Sequence, residues 1–310
     1  MHPAVSVIVF TVSSGAGLGL LALSIFLMLI EGGDNARALL ISTVTGLILT
    51  ALGLISSTFH LANPKNAWRA FSRFRSSWLS REGVFAVLLY PFALVYLGEL
   101  WHNPEHPGLL AQLAGVIAAL LALATLFATG MIYACLRTIR QWNTALVPAN
   151  YLLLGLATGG LILTLFVNLE SGGNALAAEL SLIFLTIAGL GKALYYLWIG
   201  KPQGPTINTA TGFTRASVKL LDAGHSAGTF HTREFGYQAP VKQVSRLRWG
   251  SYLLGFIVPA LLTAWVIQSG GPLPAALAVL SALIGVVIER WLFFAEARHS
   301  VNLYHGQQRV

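Results

Sequence analysis

The sequence predicts an all-α fold, a polytopic membrane helix bundle of eight transmembrane helices with both termini cytoplasmic. Three observations carry that prediction. Of 310 residues, 55% are hydrophobic and 10% charged, and the mean hydropathy is +0.70, a balance foreign to water-soluble domains. Apolar runs recur at the length a span needs, about 20 residues for a hydrocarbon core about 30 Å thick. Basic residues collect in alternate connections between those runs. The whole chain, 1–310, therefore reads as a single transmembrane domain.

The apolar runs cover 7–30, 36–60, 83–102, 109–134, 148–168, 176–198, 250–268 and 273–296. The first lacks a basic leader and outruns the core of a secretory signal, so it is expected to remain as a span. Lys65, Arg69, Arg73, Arg75 and Arg81 lie between spans two and three, and Arg137 and Arg140 between spans four and five. Lys201, Arg215, Lys219, Arg233, Lys242, Arg246 and Arg248 fill the long cytoplasmic loop 199–248 between spans six and seven. The opposite connections hold Glu31, Asp34, Arg37, Glu105 and Glu170. Retention of positive charge inside is expected to place the basic connections and both termini in the cytoplasm. The net charge of +8 is thus a topology signal, and nucleic acid is not an expected partner. Cys135 is the one cysteine, which excludes an intramolecular disulfide and a Cys-ligated iron–sulfur cluster within this chain.

Span one carries Gly15, Gly17 and Gly19, and span five Gly155 and Gly159; such spacing lets helices approach closely. No internal repeat is evident, because the polar residues of the two halves do not align. The stretch 61–82 reads as a basic, aromatic interfacial connection. Phe71, Phe74 and Trp78 recur at helical spacing among Arg69, Arg73 and Arg75, as in a helix lying at headgroup depth. His60 borders it on one side and Glu82 on the other. An imidazole and a carboxyl suit a hydroquinone, whose two oxygens each gain or lose a proton as electrons move. The competing reading is a helix-end histidine facing headgroups and a surface pair of Glu82 with Arg81.

Farther along, Glu99 and His102 mark the outer end of span three, and Cys135 reads as a packing residue near the inner end of span four. Lys192 is expected to snorkel toward the cytoplasmic border, with pairing to a buried acid as the alternative. In the 199–248 loop, Phe213, Phe230, Phe235 and Tyr237 are too aromatic for a disordered linker, which suggests ordering on a partner or packing on the protein's own helix ends. Span eight ends in Glu289, Arg290, Glu296, Arg298 and His299. No histidine lies at mid-span, and only His60 with His299 offers a pair near the inner face, so haem is not expected and no metal site is assigned.

Several motifs together resemble one family. They are His2-Pro3 leading to Phe10, Ser14, Gly15 and Gly17; His60-Leu61 with Pro64; Ala67 with Phe71; Ser77-Trp78-Leu79-Ser80-Arg81-Glu82; Met131-Ile132-Tyr133-Ala134; and Phe230 with Thr232-Arg233-Glu234-Phe235. On these residues the chain resembles the membrane-anchor subunit of dimethyl-sulfoxide-reductase-type molybdoenzyme complexes, over essentially its whole length. The resemblance implies a haem-free eight-helix bundle exchanging electrons between the quinone pool and an iron–sulfur subunit, in a complex completed by a molybdopterin-bearing catalytic subunit. Molybdopterin and iron–sulfur clusters are then expected in partner chains only.

The family's quinone-linked pair falls on His60 and Glu82. Lys65, Arg69, Trp78 and Arg81 are further candidates around a ubiquinone or menaquinone, and Arg73, Arg75, Phe230, Arg233 and Phe235 are candidates for docking the partners. The family pattern His-Leu-Gly-x-Pro-x-Arg is broken by Ala62 and Asn66, which puts that arginine's role in doubt, with Lys65 or Arg69 as substitutes. Cytoplasmic basic loops make the chain most similar to the anchors of quinone-dependent sulfite dehydrogenases. The expectation is therefore a quinone-reducing subunit serving cytoplasmic sulfite oxidation. The alternatives are a quinol-oxidising anchor for dimethyl sulfoxide, polysulfide or another oxyanion, a haem-b cytochrome, or an anchor without redox function.

Overall fold

The computed structural model describes every residue except 60–62, 106, 201–203, 214, 223, 225, 226, 230, 231 and 233, and the backbone alone of Pro64. The described residues form an all-helical multi-pass membrane protein without named strands. Its long helices are α1 (Val5–Glu31), α2 (Ala36–Thr58), α3 (Trp78–His102), α4 (Leu109–Ala134), α5 (Leu146–Ser171), α6 (Ala175–Ile199), α7 (Val241–Ser269) and α8 (Pro272–Ala295). Seven segments are long and apolar enough to cross a membrane; the first, Val5–Thr58, contains both α1 and α2. That 54-residue segment folds back at a 3-10 turn, Gly32–Asn35, entered by Gly32 at φ 68°. Its arms run antiparallel: a Cβ on Gly46 would lie 2.9 Å from the Gly17 carbonyl, and one on Gly53 2.7 Å from the Ser14 nitrogen.

Helix starts follow local chemistry. Ser77 caps α3 by accepting from the Ser80 amide, and Asn174 caps α6 by accepting from the Ala177 amide at 3.1 Å. The connection 63–77 is a 3-10 helix, Pro64–Arg73, followed by a turn. A π-turn, Leu253–Ile257, interrupts α7 where it meets α8. The helices touch there through backbone, since a Cβ on Gly285 would fall 2.1 Å from the Gly255 nitrogen. Ser281 donates to the Leu254 carbonyl at 2.8 Å, serving a group in the irregular turn. The long loop is shorter than the sequence suggests, because α7 begins at Val241, where Pro240 supplies an extended N-cap.

The halves share one contact pattern. Helix α1 packs on α2 and α4, and α3 on α4; α5 packs on α6 and α8, and α7 on α8. They join where the two glycine pairs meet: a Cβ on Gly19 would lie 1.9 Å from the Gly155 carbonyl, and one on Gly159 2.1 Å from the Leu20 nitrogen. Both helices end on the same face, where Ser171 donates to Asn35 at 2.6 Å and Asn174 donates to Glu31. The halves are therefore parallel, and their likeness lies in backbone packing that the polar residues do not reveal.

The face with the basic connections is knitted from distant segments. The Met1 amino group donates to the Ala297 carbonyl at 2.9 Å, Ser300 N to Thr138 O at 2.9 Å, and Trp142 Nε1 to Phe293 O at 3.0 Å. Val310 N donates to Pro205 O at 3.3 Å, bringing the chain end beside the 199–241 loop.

Candidate functional site

Glu82 lies one turn into α3 and is 4% exposed, although its neighbour Arg81 turns the other way. The Arg81 guanidinium donates to the carbonyls of Phe74 at 3.0 Å and Arg75 at 2.8 Å, and it sits 4.2 Å over the Trp78 ring. Arg81 thus pins the connection to the start of α3 and does not pair with Glu82. Trp78 meets Phe127 edge-on at 5.8 Å, Phe74 meets Phe85 at 5.8 Å, and Phe71 lies against Gly83. These rings tie the connection to the start of α3, while the Glu82 carboxyl is turned toward α4.

Thr129 on α4 donates to Glu82 Oε1. Its hydroxyl also has the Thr125 carbonyl at 2.9 Å. One hydroxyl hydrogen cannot serve both acceptors at full strength. With an ionised Glu82 it goes to the carboxylate; with a protonated one, Glu82 donates to Thr129 and Thr129 to the carbonyl. The pair thus accommodates either protonation state without moving a helix.

A second group lies at similar depth. Lys192 on α6 and Arg290 on α8 both pair with Glu289, and the three are 1%, 3% and 0% exposed. Lys192 therefore does not snorkel: Glu289 lies at equal depth, about two turns from the same face, and holds it. Aromatic rings line the group. Lys192 Nζ is 4.1 Å from the Tyr195 centroid, and the Arg290 guanidinium is 4.2 Å over Tyr151. Between the two groups is a cavity of about 20 Å³ whose wall includes Thr11, Ser14, Gly15, Thr129, Tyr151 and Arg290. That volume holds about one water. A larger apolar cleft of about 690 Å³ follows α1 and α8 along Ile8, Val9, Val287 and Trp291, sharing Val12 and Ala16 with the cavity.

The remaining sequence candidates divide by place. His60, Phe230 and Arg233 lie outside the described residues. Lys65, Arg69, Arg73 and Arg75 are exposed on the connection, and none reaches Glu82; Arg69 leans on Trp68 at 5.6 Å. Phe235 packs on His299 at 4.6 Å, and its carbonyl accepts from Asn302 at 2.9 Å, so this part of the loop lies on the protein's own C-terminal segment. Cys135, expected to pack, is exposed. Thr129 and Tyr151 escaped the sequence reading, since a hydroxyl inside an apolar run carries no periodic signal. The Lys192–Glu289 pairing had one: opposite charges at matched depth in two apolar helices.

Comparison with known proteins matches residues 1–295 to the family described as DMSO reductase anchor subunit (DmsC). A sulfite dehydrogenase subunit of Allochromatium vinosum is 33% identical over 328 residues, covering 98% of this chain and 99% of that protein. Protein NrfD of Escherichia coli is 24% identical over 329 residues, covering 96% of this chain and 92% of its own length.

Proposed function

Because the chain belongs to the DMSO reductase anchor subunit (DmsC) family, we propose that it is the membrane anchor and quinone-reactive subunit of a molybdopterin oxidoreductase. In this reading an iron–sulfur subunit and a molybdopterin catalytic subunit dock on the basic face, which is cytoplasmic by the positive-inside rule. Counting the arms of the Val5–Thr58 hairpin separately gives eight spans, with both termini on that face. The near full-length likeness to a sulfite dehydrogenase subunit favours sulfite as the donor oxidised in the partner. Electrons then pass through iron–sulfur clusters to ubiquinone or menaquinone.

The observation that carries the quinone role is Glu82 itself. A buried carboxyl with a hydroxyl partner suited to both protonation states is equipped to exchange protons with a quinone oxygen. His60 is the second proton-exchanging group of the proposal, with Trp78 and Lys65 or Arg69 bordering the headgroup. Quinone reduction takes two electrons and two protons, and both protons come from the cytoplasm. Sulfite oxidation releases its protons there too, so the step builds no membrane potential by itself.

The test is the purified complex carrying Glu82→Gln or His60→Ala, assayed with a soluble quinone and with an artificial acceptor that bypasses this chain. Each variant is expected to lower quinone-linked turnover by about a hundredfold while keeping assembly and artificial-acceptor activity. Unchanged quinone turnover in both variants contradicts the assignment.

A further inference from the structure

The Lys192–Glu289–Arg290 group holds two cations and one anion, all buried. An arginine does not give up its proton, so Glu289 stays ionised as its counter-ion. The surplus proton of the group therefore belongs to Lys192, whose release of it leaves a neutral Glu289–Arg290 pair. A buried lysine is the cation that gives a proton up, because loss of the charge removes its desolvation cost. A brace built for stability has no need of the extra charge, since burying it is expensive.

Polar atoms without partners gather near Lys192. Tyr196 Oη, Asn150 Oδ1, Ser251 Oγ and Arg248 Nε are buried and unbonded. Native proteins leave few such atoms, and where they gather, water joins them. Toward the basic face, Tyr196 lies between Lys192 Nζ at 4.8 Å and the Arg248 guanidinium at 4.7 Å. Arg248 pairs with Glu296, and the two side chains are 35% and 12% exposed. Toward Glu82, Arg290 and Tyr151 wall the one-water cavity, whose lining also includes Thr129, the hydrogen-bond partner of Glu82.

We propose that Lys192 is a proton relay for the reaction at Glu82. Its proton passes through the cavity water beside Tyr151 and Thr129 to the Glu82 carboxylate, and a proton entering at Glu296–Arg248 replaces it. Each transfer leaves Lys192 neutral and Glu82 protonated; Glu82 then passes its proton to a quinone oxygen, and the entering proton restores the charge on Lys192. One such cycle supplies one of the two protons that accompany two electrons from the reduced iron–sulfur partner into the quinone, and His60 supplies the other. The relay rests on the reading that Glu82 exchanges protons with a quinone. It adds an entry route and a residue that never touches the substrate.

Substitutions at Lys192 in the purified complex separate relay from brace, with soluble quinone turnover as the readout. Lys192→Arg keeps the charge and the ion pair but cannot release a proton, whereas Lys192→His keeps an exchangeable one. A relay predicts about a tenfold or greater loss for Lys192→Arg with partial recovery in Lys192→His; a brace predicts the reverse order. Gly15→Ala supplies a variant that folds, because its new Cβ meets nothing within 4 Å and enters the cavity. It is expected to displace the water and slow quinone turnover by about threefold or more, with artificial-acceptor activity unchanged. Wild-type quinone turnover in Lys192→Arg, or in Gly15→Ala where the lysine variants do not assemble, overturns the relay. If Glu82→Gln itself leaves turnover intact, Glu82 is not a proton donor to the quinone and the relay has no acceptor; if Glu82→Gln is inactive while Lys192→Arg is active, the relay alone fails.

Discussion

Arg81 and Glu82 are adjacent in sequence and opposite in role. A surface ion pair is the simplest expectation for such neighbours, yet the guanidinium is spent on the Phe74 and Arg75 carbonyls, leaving Glu82 to Thr129. Thr129→Val keeps the shape and removes the hydroxyl, which is expected to cost about 1 to 3 kcal/mol where the carboxylate loses its donor. Thr129→Ser should retain both the stability and most of the quinone-linked turnover that the valine variant loses. Equal behaviour of the two in thermal unfolding and turnover would remove Thr129 from the site. At this scale the sequence was legible in part. Glu82 was marked by its place at a helix start, but its burial depended on Arg81 being engaged elsewhere, and Thr129 had no local signature. Lys192 was legible as an intramembrane charge, and only the packing of α6 and α8 on α5 decides that it pairs with an acid instead of reaching for the surface.

Among elements, the crossing of α1 and α5 has the least tolerance. Backbones meet at Gly19, Gly155 and Gly159, so Gly159→Val places atoms where the Leu20 amide lies. Such a change forces helices apart in a close-packed bundle and is expected to cost more than about 3 kcal/mol, read as loss of the assembled complex from detergent extracts. Gly15, in the same motif and one turn away, faces the cavity, and alanine there is expected to leave assembly intact. Matching behaviour of the two variants would show that the crossing does not depend on these contacts. The helices themselves were readable from apolar run length, with boundaries displaced by a few residues. The loop 199–248 was read as long because basic residues continue to Arg248. Those side chains belong to the first turns of α7, where Lys242, Arg246 and Arg248 ride a helix that has not yet entered the apolar core.

Over the whole molecule, charge separates the two faces, and the basic one also carries the interlocked termini and the approach to Glu82. Arg73 and Arg75 are exposed at its rim. Reversing both to glutamate is expected to weaken retention of the iron–sulfur subunit by about tenfold, more so at low ionic strength, where long-range attraction is least screened. Salt-independent co-purification of the variant with its partners would exclude the connection as their docking surface. The parallel relation between the halves was not legible. It resides in which helices touch, whereas the polar residues that a sequence comparison would align differ: a carboxyl with a threonine in one half, and a lysine, a glutamate and an arginine in the other.

Proton exchange at Glu82 requires that its carboxyl change protonation as the quinone is reduced. Redox-difference infrared spectroscopy of the complex in lipid, with a soluble quinone bound, reads this through the stretch of a protonated carboxyl group. The expected result is a carboxyl band that changes on reduction, is absent in Glu82→Gln and persists in Lys192→Arg with slower kinetics. An identical band in Glu82→Gln, or no carboxyl change in the wild-type complex, would contradict it.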